Sequence, residues 1–441
     1  RYIKNSLMND SNPSSVILGA GRSGLAAEAL LQSEKIMASV FDEQTHTIQD
    51  LKDHCEENVI DQAIVSPGFS LTHPWCDVLR QFSIPLCSEL ELGWSRFKGK
   101  TVAVTGSNGK SSVVKWISEI LQSMGYEVLL GGNYGIPASE VVMKNPNADW
   151  LVLEVSSFQL ETVREFSPTF GVLINLLPNH LDRHGSICAY MAIKGRIFGP
   201  SFSSETNAIL PFDLMSCYEK ELQSVASVLS FGTCSNADYI ASNGVVKWQG
   251  QPLLDLRQTH FAVSHLLESS GAAVAAFMHA LEVDMGEVRE ATLSFQGLAH
   301  RFERLGIVHG ITCINDSKAT NLAAMAAAVR SCDGKVHLLA GGLLKESDLT
   351  FVKEILVEQV SRLYVFGESA FKMQTDWGDA VACSFCSSLE EAFDLACNEV
   401  SSGETLLLSP GCASFDQFSG FEDRGNQFRS LVSRWKEKGR S

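Results

Sequence analysis

One ten-residue stretch limits what this chain can fold into more than any other: Val104-Thr105-Gly106-Ser107-Asn108-Gly109-Lys110-Ser111-Ser112-Val113. Just upstream, Thr101, Val102 and Ala103 lead into Val104 as a run of buried-strand character. Downstream, Val113, Trp116, Ile117, Ile120 and Leu121 recur at helical spacing, which predicts a helix over 112–124. A strand, a glycine loop ending in Lys-Ser and a helix form a phosphate-binding unit, because backbone N–H groups and the positive helix end surround a polyphosphate. In such a unit Lys110 reaches the terminal phosphates and the Ser111 hydroxyl holds Mg2+. The stretch departs from the usual G-x-x-x-x-G-K-[ST] pattern, since Val104 stands where the first glycine belongs. A glycine loop that merely turns the chain is the plainer alternative.

The chain has 441 residues, 45% hydrophobic and 20% charged, which is ordinary globular composition with length for about three domains. A net charge of −16 argues against a nucleic-acid-binding surface, which needs an excess of Lys and Arg. No secretory segment and no long apolar run is visible, so no membrane insertion is expected. With twelve scattered cysteines, this leads to the expectation of a cytoplasmic protein with free thiols. Cys383 and Cys386 have C-x-x-C spacing, but no second pair lies nearby to complete a zinc site, so they are expected to be ordinary strand residues. Residues 1–14 are polar and irregular and are set aside.

From residue 15 the pattern runs strand (16–18), glycine turn, helix (25–33) and strand (38–41, ending in Asp42), with a later strand at 62–65 entering Ser66-Pro67-Gly68. This is a Rossmann-like unit. A second α/β region opens with the phosphate loop and carries expected strands at 150–155 and 170–176, a weaker β-like stretch at 239–254 and a helix at 271–281. A third unit begins near His300, with strands at 312–314, 336–340, 363–366 and 405–408. Alternating β and α in all three predicts an α/β fold with parallel sheets. The expected domains are 15–97, 98–298 and 299–441.

Gly19-x-Gly21-x-x-Gly24 after a strand, with Asp42 beyond, fits a dinucleotide fingerprint in which the acid takes a ribose or base edge. Alone it leaves an NAD-dependent oxidoreductase open, and tight strand–helix packing as well. Glu154 sits inside the apolar run Trp150-Leu151-Val152-Leu153, where a lone acid is costly unless a cation pairs it. After a phosphate loop it makes sense as a Mg2+ ligand; a strand-end acid facing solvent is the alternative. His180 suits a metal or phosphate, and Lys194 lies on an apolar-periodic helix where lysines more often snorkel or pair with acids. Arg301 suits ATP phosphates. Asn315-Asp316-Ser317-Lys318-Ala319-Thr320-Asn321 enters an alanine-rich helix over 322–329, so it is either an anion site or a helix cap. With Lys345 and Ser414, also in loops after strands, Thr320 can form a pocket for a small dicarboxylate.

Taken in order, these motifs resemble the Mur ligase family, ATP-dependent amide-bond-forming enzymes of peptidoglycan precursor synthesis, and its D-glutamate-adding branch in particular. The likeness rests on Thr105-Gly106-Ser107-Asn108-Gly109-Lys110-Ser111, on Glu154-Val155-Ser156-Ser157-Phe158-Gln159-Leu160-Glu161, on His300-Arg301-Phe302-Glu303, on Asp316 through Asn321, and on Ser409 through Phe428. It spans nearly the whole chain.

The resemblance implies a UDP-binding domain, a central ATPase domain and a C-terminal amino-acid domain, acting as a monomer on ATP, UDP-N-acetylmuramoyl-L-alanine and D-glutamate with Mg2+. It implies ATP contacts at Gly106, Ser107, Asn108, Gly109, Lys110, Ser111, Ser112, Arg301 and Asp316. It places metal ligands at Ser111, Glu154 and His180, and a carbamylated Lys194 on a second Mg2+. Gly21, Arg22, Ser23, Asp42, Glu43, Gly68 and Asn133 correspond to the UDP-substrate site. Thr320, Lys345, Ser414 and Phe421 correspond to the D-glutamate pocket. Lys110, Glu154, His180 and Lys194 are the implied catalytic set. Three departures stand out: residues 265–270 lack the family's asparagine-rich adenine segment, Leu344 replaces a frequent acid before Lys345, and Asp42-Glu43-Gln44 lacks an arginine found in some members.

Overall fold

The computed structural model describes residues 14–200, 205–259, 265–295 and 297–438. The first sheet contains β1 (Ser14–Leu18), β2 (Met37–Phe41), β3 (Gln62–Val65) and β4 (Leu86–Ser88), all parallel in the order β2-β1-β3-β4. The second contains β5 (Lys100–Thr105), β6 (Val128–Gly132), β7 (Trp150–Glu154), β8 (Phe170–Leu173), β9 (Asn207–Pro211), β10 (Ser227–Gly232), β11 (Tyr239–Ser242), β12 (Val245–Trp248) and β13 (Gln251–Asp255). Their order is β13-β12-β11-β10-β9-β8-β5-β7-β6. The third contains β14 (Glu303–Val308), β15 (Ile311–Asn315), β16 (Val336–Gly341), β17 (Val360–Phe366), β18 (Cys383–Phe385) and β19 (Thr405–Leu408), ordered β14-β15-β19-β16-β17-β18.

The α/β expectation holds, with two corrections. The second sheet ends in an antiparallel meander, β11-β12-β13, where the sequence showed only a weak β-like stretch. The third has an antiparallel edge, β14 on β15. Tight turns at Asn243-Gly244, Gln249-Gly250 and His309-Gly310, all with positive φ, make these hairpins. The expected strand over 170–176 stops at Leu173, and the helix expected at 271–281 spans His265–Ala280. Residues 265–270 are therefore helical rather than a segment preceding a helix; the side chains of His265, Leu266 and Leu267 lie outside the described residues.

Contacts divide the chain into two units. One holds the first two sheets with residues 268–295; the other holds the third sheet. In the first unit, the helix Lys110–Ser123 buries Val113, Val114, Trp116, Ile117, Ile120 and Leu121. Burying each large apolar side chain contributes about 1.5–3 kcal/mol, and the helical spacing selects the face. The Trp116 indole also donates to Thr292 Oγ1 at 3.1 Å. Two acids on the helix Glu89–Trp94 fasten the first sheet to the second. Glu89 accepts from the Ser139 N–H at 2.6 Å, and Glu91 accepts from the Arg164 and Glu165 N–H groups at 2.8 and 2.5 Å.

All twelve cysteines are free thiols; Cys383 lies on β18 as expected, whereas Cys386 falls just past the end of that strand. Among the described residues no helix is long and apolar enough to cross a membrane.

Candidate functional site

The phosphate loop leaves the carboxyl end of β5. Val104 pairs with Glu154 and Val172 across the sheet, so the chain remains a strand where a standard loop would have its first glycine. Two later glycines are required. At Gly106 a Cβ would meet Ile174 Cγ1 at 2.5 Å, and Gly109 caps the helix with φ +83°. Asn175, just past β8, shapes the loop between them. Its Oδ1 accepts from the Ser107 and Asn108 N–H groups, both at 3.0 Å, and its Nδ2 donates to Asn108 O at 2.9 Å. Ser107 Oγ donates to Leu177 O at 2.8 Å and lies 3.2 Å from the Tyr190 hydroxyl.

Two lysines converge on this loop. Lys110 Nζ folds back onto Gly106 O (2.9 Å) and Ser107 O (3.2 Å). Lys194, on the helix Ile187–Gly195, is 1% exposed, and its Nζ donates to the same Gly106 O (2.9 Å) and to Thr105 Oγ1 (3.0 Å). Burial and the neighbouring Lys110 charge hold the Lys194 amine well below the usual lysine range, against a smaller opposing pull from Glu154. Lys194 therefore neither snorkels nor simply pairs with an acid, the two commoner fates of a lysine on such a helix.

Glu154 is 3% exposed, which excludes the solvent-facing alternative. Its carboxylate accepts from the Ser111 hydroxyl and, at 2.6 Å, from Asn133 Nδ2. Asn133 follows Gly132 at the end of β6, where a Cβ would strike Glu154 O at 2.3 Å. His180 is exposed, has φ +53° and lies with its ring 4.8 Å from Phe158. Among the described residues no group of three or more His, Cys, Asp or Glu side chains is arranged to hold a metal ion. A hydroxyl and a carboxylate together beside a phosphate loop nevertheless suit Mg2+, which takes few protein oxygens and completes its shell with water and phosphate.

The glycine turn after β1 behaves differently. Gly24 is there for packing, since a Cβ would lie 1.9 Å from Gly19 O. Asp42 Oδ2 accepts from the Ala20 N–H at 2.8 Å, and Asp42 also accepts from the Gln44 N–H at 3.0 Å; these backbone donors lower its pKa. Glu43 contacts the ring of His73 at 3.0 Å. Around Gly21 and Gly68 a Cβ would meet nothing within 4 Å, so both face open space, as does exposed Arg22; Ser23 is half-buried.

In the second unit three loops meet after β15, β16 and β19. Leu343 and Ala413 exchange backbone hydrogen bonds at 2.8 and 2.9 Å. The Arg424 guanidinium, fully buried, donates to Ser317 Oγ, Ser317 O, Cys412 O and Gly341 O at 2.8–3.2 Å, touching all three loops. Burial lowers its pKa to about 10. This network gathers the segments of Thr320, Lys345 and Ser414, and Ser317 Oγ donates to Phe421 O at 2.8 Å. Lys345 is exposed, Ser414 buried. Asn321 caps the helix Leu322–Arg330 through the Ala324 N–H, so at that position the cap reading holds. Leu344 packs on the core, which is why an apolar residue stands there. Asp316 accepts from the Phe302 N–H and Ser409 hydroxyl at 3.0 and 2.9 Å, and desolvation pushes its pKa up to about 7. Arg301 opens the same unit.

Sequence reasoning missed Asn175, Tyr190 and the stitching role of Arg424. A signal existed for two of them. Asn175 is the first polar residue after a buried strand, and Tyr190 lies four residues before Lys194, on the same helix face.

Three sheets with a strand–glycine loop–helix unit in the central one define an α/β enzyme of the ATP-using kind. Residues 104–270 match the Mur ligase middle domain and residues 300–412 match the Mur ligase glutamate ligase domain. The chain belongs to the Mur ligase family. It is 33% identical to the UDP-N-acetylmuramoylalanine–D-glutamate ligase of Acidobacterium capsulatum over 95% of both chains. It is 34% identical to the protein of that name in Koribacter versatilis, over 96% of this chain and 98% of the relative. In Chlorobium phaeobacteroides the figures are 35%, 94% and 96%. Among solved structures, the MurF ligase of Thermotoga maritima in complex with ADP superposes with a TM-score of 0.59 at 17% identity, covering 88% of this chain and 92% of that one. The UDP-N-acetylmuramate-alanine ligase of the same organism gives 0.57 at 16%, covering 97% and 99%. These two likenesses concern the fold.

Proposed function

We propose that this enzyme joins D-glutamate to UDP-N-acetylmuramoyl-L-alanine at the expense of ATP, in cytoplasmic peptidoglycan precursor synthesis, working as a monomer. The domains are assigned as 15–97 for the UDP-substrate, 98–298 for ATP and 299–441 for the amino acid. The observation that carries the ATP part is the convergence of Lys110 and Lys194 on Gly106 O beside the Ser111–Glu154 pair. The choice of substrates is supported by the names of relatives that align along nearly the whole chain.

The chemistry follows from the weakness of a carboxylate as an electrophile. An oxygen of the L-alanyl carboxylate attacks the γ-phosphorus of ATP, the β–γ bridge breaks, and ADP leaves. The free amine of D-glutamate adds to the resulting acyl phosphate, the adduct gives up a proton to solvent, and the tetrahedral intermediate expels phosphate to leave an amide. Positioning and charge neutralisation do most of the work. Lys110, with Gly106, Ser107, Asn108, Gly109, Ser111 and Ser112, cradles the phosphates; Arg301 and Asp316 complete the ATP contacts. Ser111 and Glu154, with His180 from the loop after β8, would hold Mg2+, which when bound would neutralise phosphate charge. A neutral Lys194 amine is the form that attacks CO2, making an N–C bond and releasing a proton; the carboxylate so formed would serve as a further metal ligand. Its depressed pKa favours that reaction. Gly21, Arg22, Ser23, Asp42, Glu43, Gly68 and Asn133 are assigned to the UDP-substrate, and Thr320, Lys345, Ser414 and Phe421 to D-glutamate.

The test is phosphate release from ATP with UDP-N-acetylmuramoyl-L-alanine, screening D-glutamate against D-alanine, L-alanine and a diamino acid. Only D-glutamate should give rapid release, because a side chain without the carboxylate leaves donors of Thr320, Lys345 and Ser414 unpaired in the closed complex, at about 1–3 kcal/mol each. Equal rates with another amino acid would refute the substrate assignment.

A further inference from the structure

Arg183 is a largely buried charge that none of the roles above uses. Its side chain is 15% exposed and that of its partner Glu161 is 6%. Nε and Nη2 grip the two carboxylate oxygens at 2.9 and 2.7 Å in a forked pair. Its other donors cross to the first sheet: Nη1 donates to Pro67 O and Nη2 to Phe69 O, each at 2.8 Å. One face of the guanidinium lies 4.1 Å from the centre of the Phe158 ring.

Each end of this contact reaches an assigned site. Pro67 and Phe69 flank Gly68 in the loop after β3, and that loop abuts the first glycine turn. A Cβ on Gly19 would fall 3.0 Å from Ser66 Cβ and 3.2 Å from Phe69 Cε2. At the other end, Arg183 belongs to the short helix Leu181–His184 that His180 begins. Phe158, whose ring contacts both Arg183 and His180, comes four residues after Glu154.

We infer that Arg183 is a positioning residue of the ligase reaction, holding the loop beside the nucleotide site at a fixed distance from the loop that carries His180. The inference rests on the function proposed above. A substrate anchored by its nucleotide must deliver a distant carboxylate to the phosphate loop. Its remote binding energy aids the chemical step only if the two anchor points are fixed, and a misplacement of about 1 Å costs on the order of a hundredfold. The planar fork of arginine suits this duty, since it serves a carboxylate and two carbonyls at once; a lysine offers donors from a single point. Glu89 and Glu91 fasten the two sheets elsewhere, so losing Arg183 loosens the loops without parting the sheets.

Arg183→Gln, Arg183→Lys and Glu161→Gln are assayed with UDP-N-acetylmuramoyl-L-alanine, D-glutamate and ATP, beside calorimetric titration with UDP. We expect kcat to fall about 30- to 100-fold in Arg183→Gln, with the KM for ATP and the Kd for UDP within threefold of wild type. Glu161→Gln should lose a similar factor, and the double variant little more, because the pair acts as one unit. A kcat within threefold of wild type overturns the inference, as does a loss expressed in UDP affinity or ATP KM. Should Arg183→Gln fail to fold, Arg183→Lys gives the same reading with a smaller loss. A wild-type protein inactive with this substrate, seen before any variant is compared, overturns the function and the inference with it.

Discussion

Two glycine turns in one unit follow the same local plan, a parallel strand, a tight turn and a helix, yet their electrostatics are opposite. In the turn after β1 a carboxylate, Asp42, satisfies the Ala20 N–H. In the turn after β5 a neutral amide, Asn175, satisfies Ser107 and Asn108, and two amines press on Gly106 O. Glycines give both turns their shape. The side chains arriving from neighbouring strands and helices decide whether the turn welcomes hydroxyl groups or concentrated phosphate charge. A glycine fingerprint alone could therefore not choose between an oxidoreductase and a ligase.

The sharpest way to break the contrast is Lys110→Ala. Turnover should fall at least a thousandfold while UDP binding, measured by calorimetry, stays within threefold, because the lysine acts on charge developing at the phosphates. Near-normal turnover would remove the phosphate assignment from the second turn.

Lys194→Met should cost about a hundredfold or more in turnover, with partial recovery on adding short carboxylates such as acetate if a lysine carbamate is the active form. Its effect on stability should have the opposite sign. The folded-state pKa of Lys194 lies below its unfolded value, so between the two the unfolded chain binds more protons and stability rises with pH. In CO2-free buffer at pH 7 the methionine variant should melt higher than wild type, and that gain should shrink as the pH climbs toward the unfolded lysine value of about 10.4. A variant that melts lower at pH 7 would mean that Lys194 is structural.

A smaller effect is expected in the first turn. Asp42→Ala should raise the KM for the UDP-substrate about tenfold and leave the KM for ATP unchanged, since the loss is an ordered loop and a hydrogen bond of about 1–2 kcal/mol. Equal changes in both constants would show that the two turns do not act separately.

A last effect, on stability and not on turnover, concerns the joint between them. Glu89 is buried, with its pKa raised by desolvation to about 7, and its Oε2 has no partner. Here the folded state holds the proton between the unfolded value and about pH 7, so stability falls as pH rises across that window. Glu89→Gln should flatten this part of the pH–stability profile, a difference of up to roughly 3 kcal/mol above it, read by urea titration at pH 5 and pH 8. An unchanged slope would show that another group titrates there.

The sequence by itself determined the strands β1, β5, β7 and β19, the helix after the phosphate loop, and the family. Each comes from local information: unbroken apolar runs, helical periodicity, and glycines needed at particular backbone angles. The edge hairpins escaped it because short antiparallel strands such as Glu303–Val308 are half-exposed and carry no clear alternation. Only the tertiary structure could bring Asn175 to the phosphate loop, set Lys194 across 88 residues onto Gly106 O, or join three loops through Arg424. Such contacts are non-local hydrogen bonds made by single side chains. Their geometry depends on strand order, which brings β8 beside β5 and β19 between β15 and β16. A residue type at one position holds no record of that order, so burial and partners become visible only once the sheets have formed.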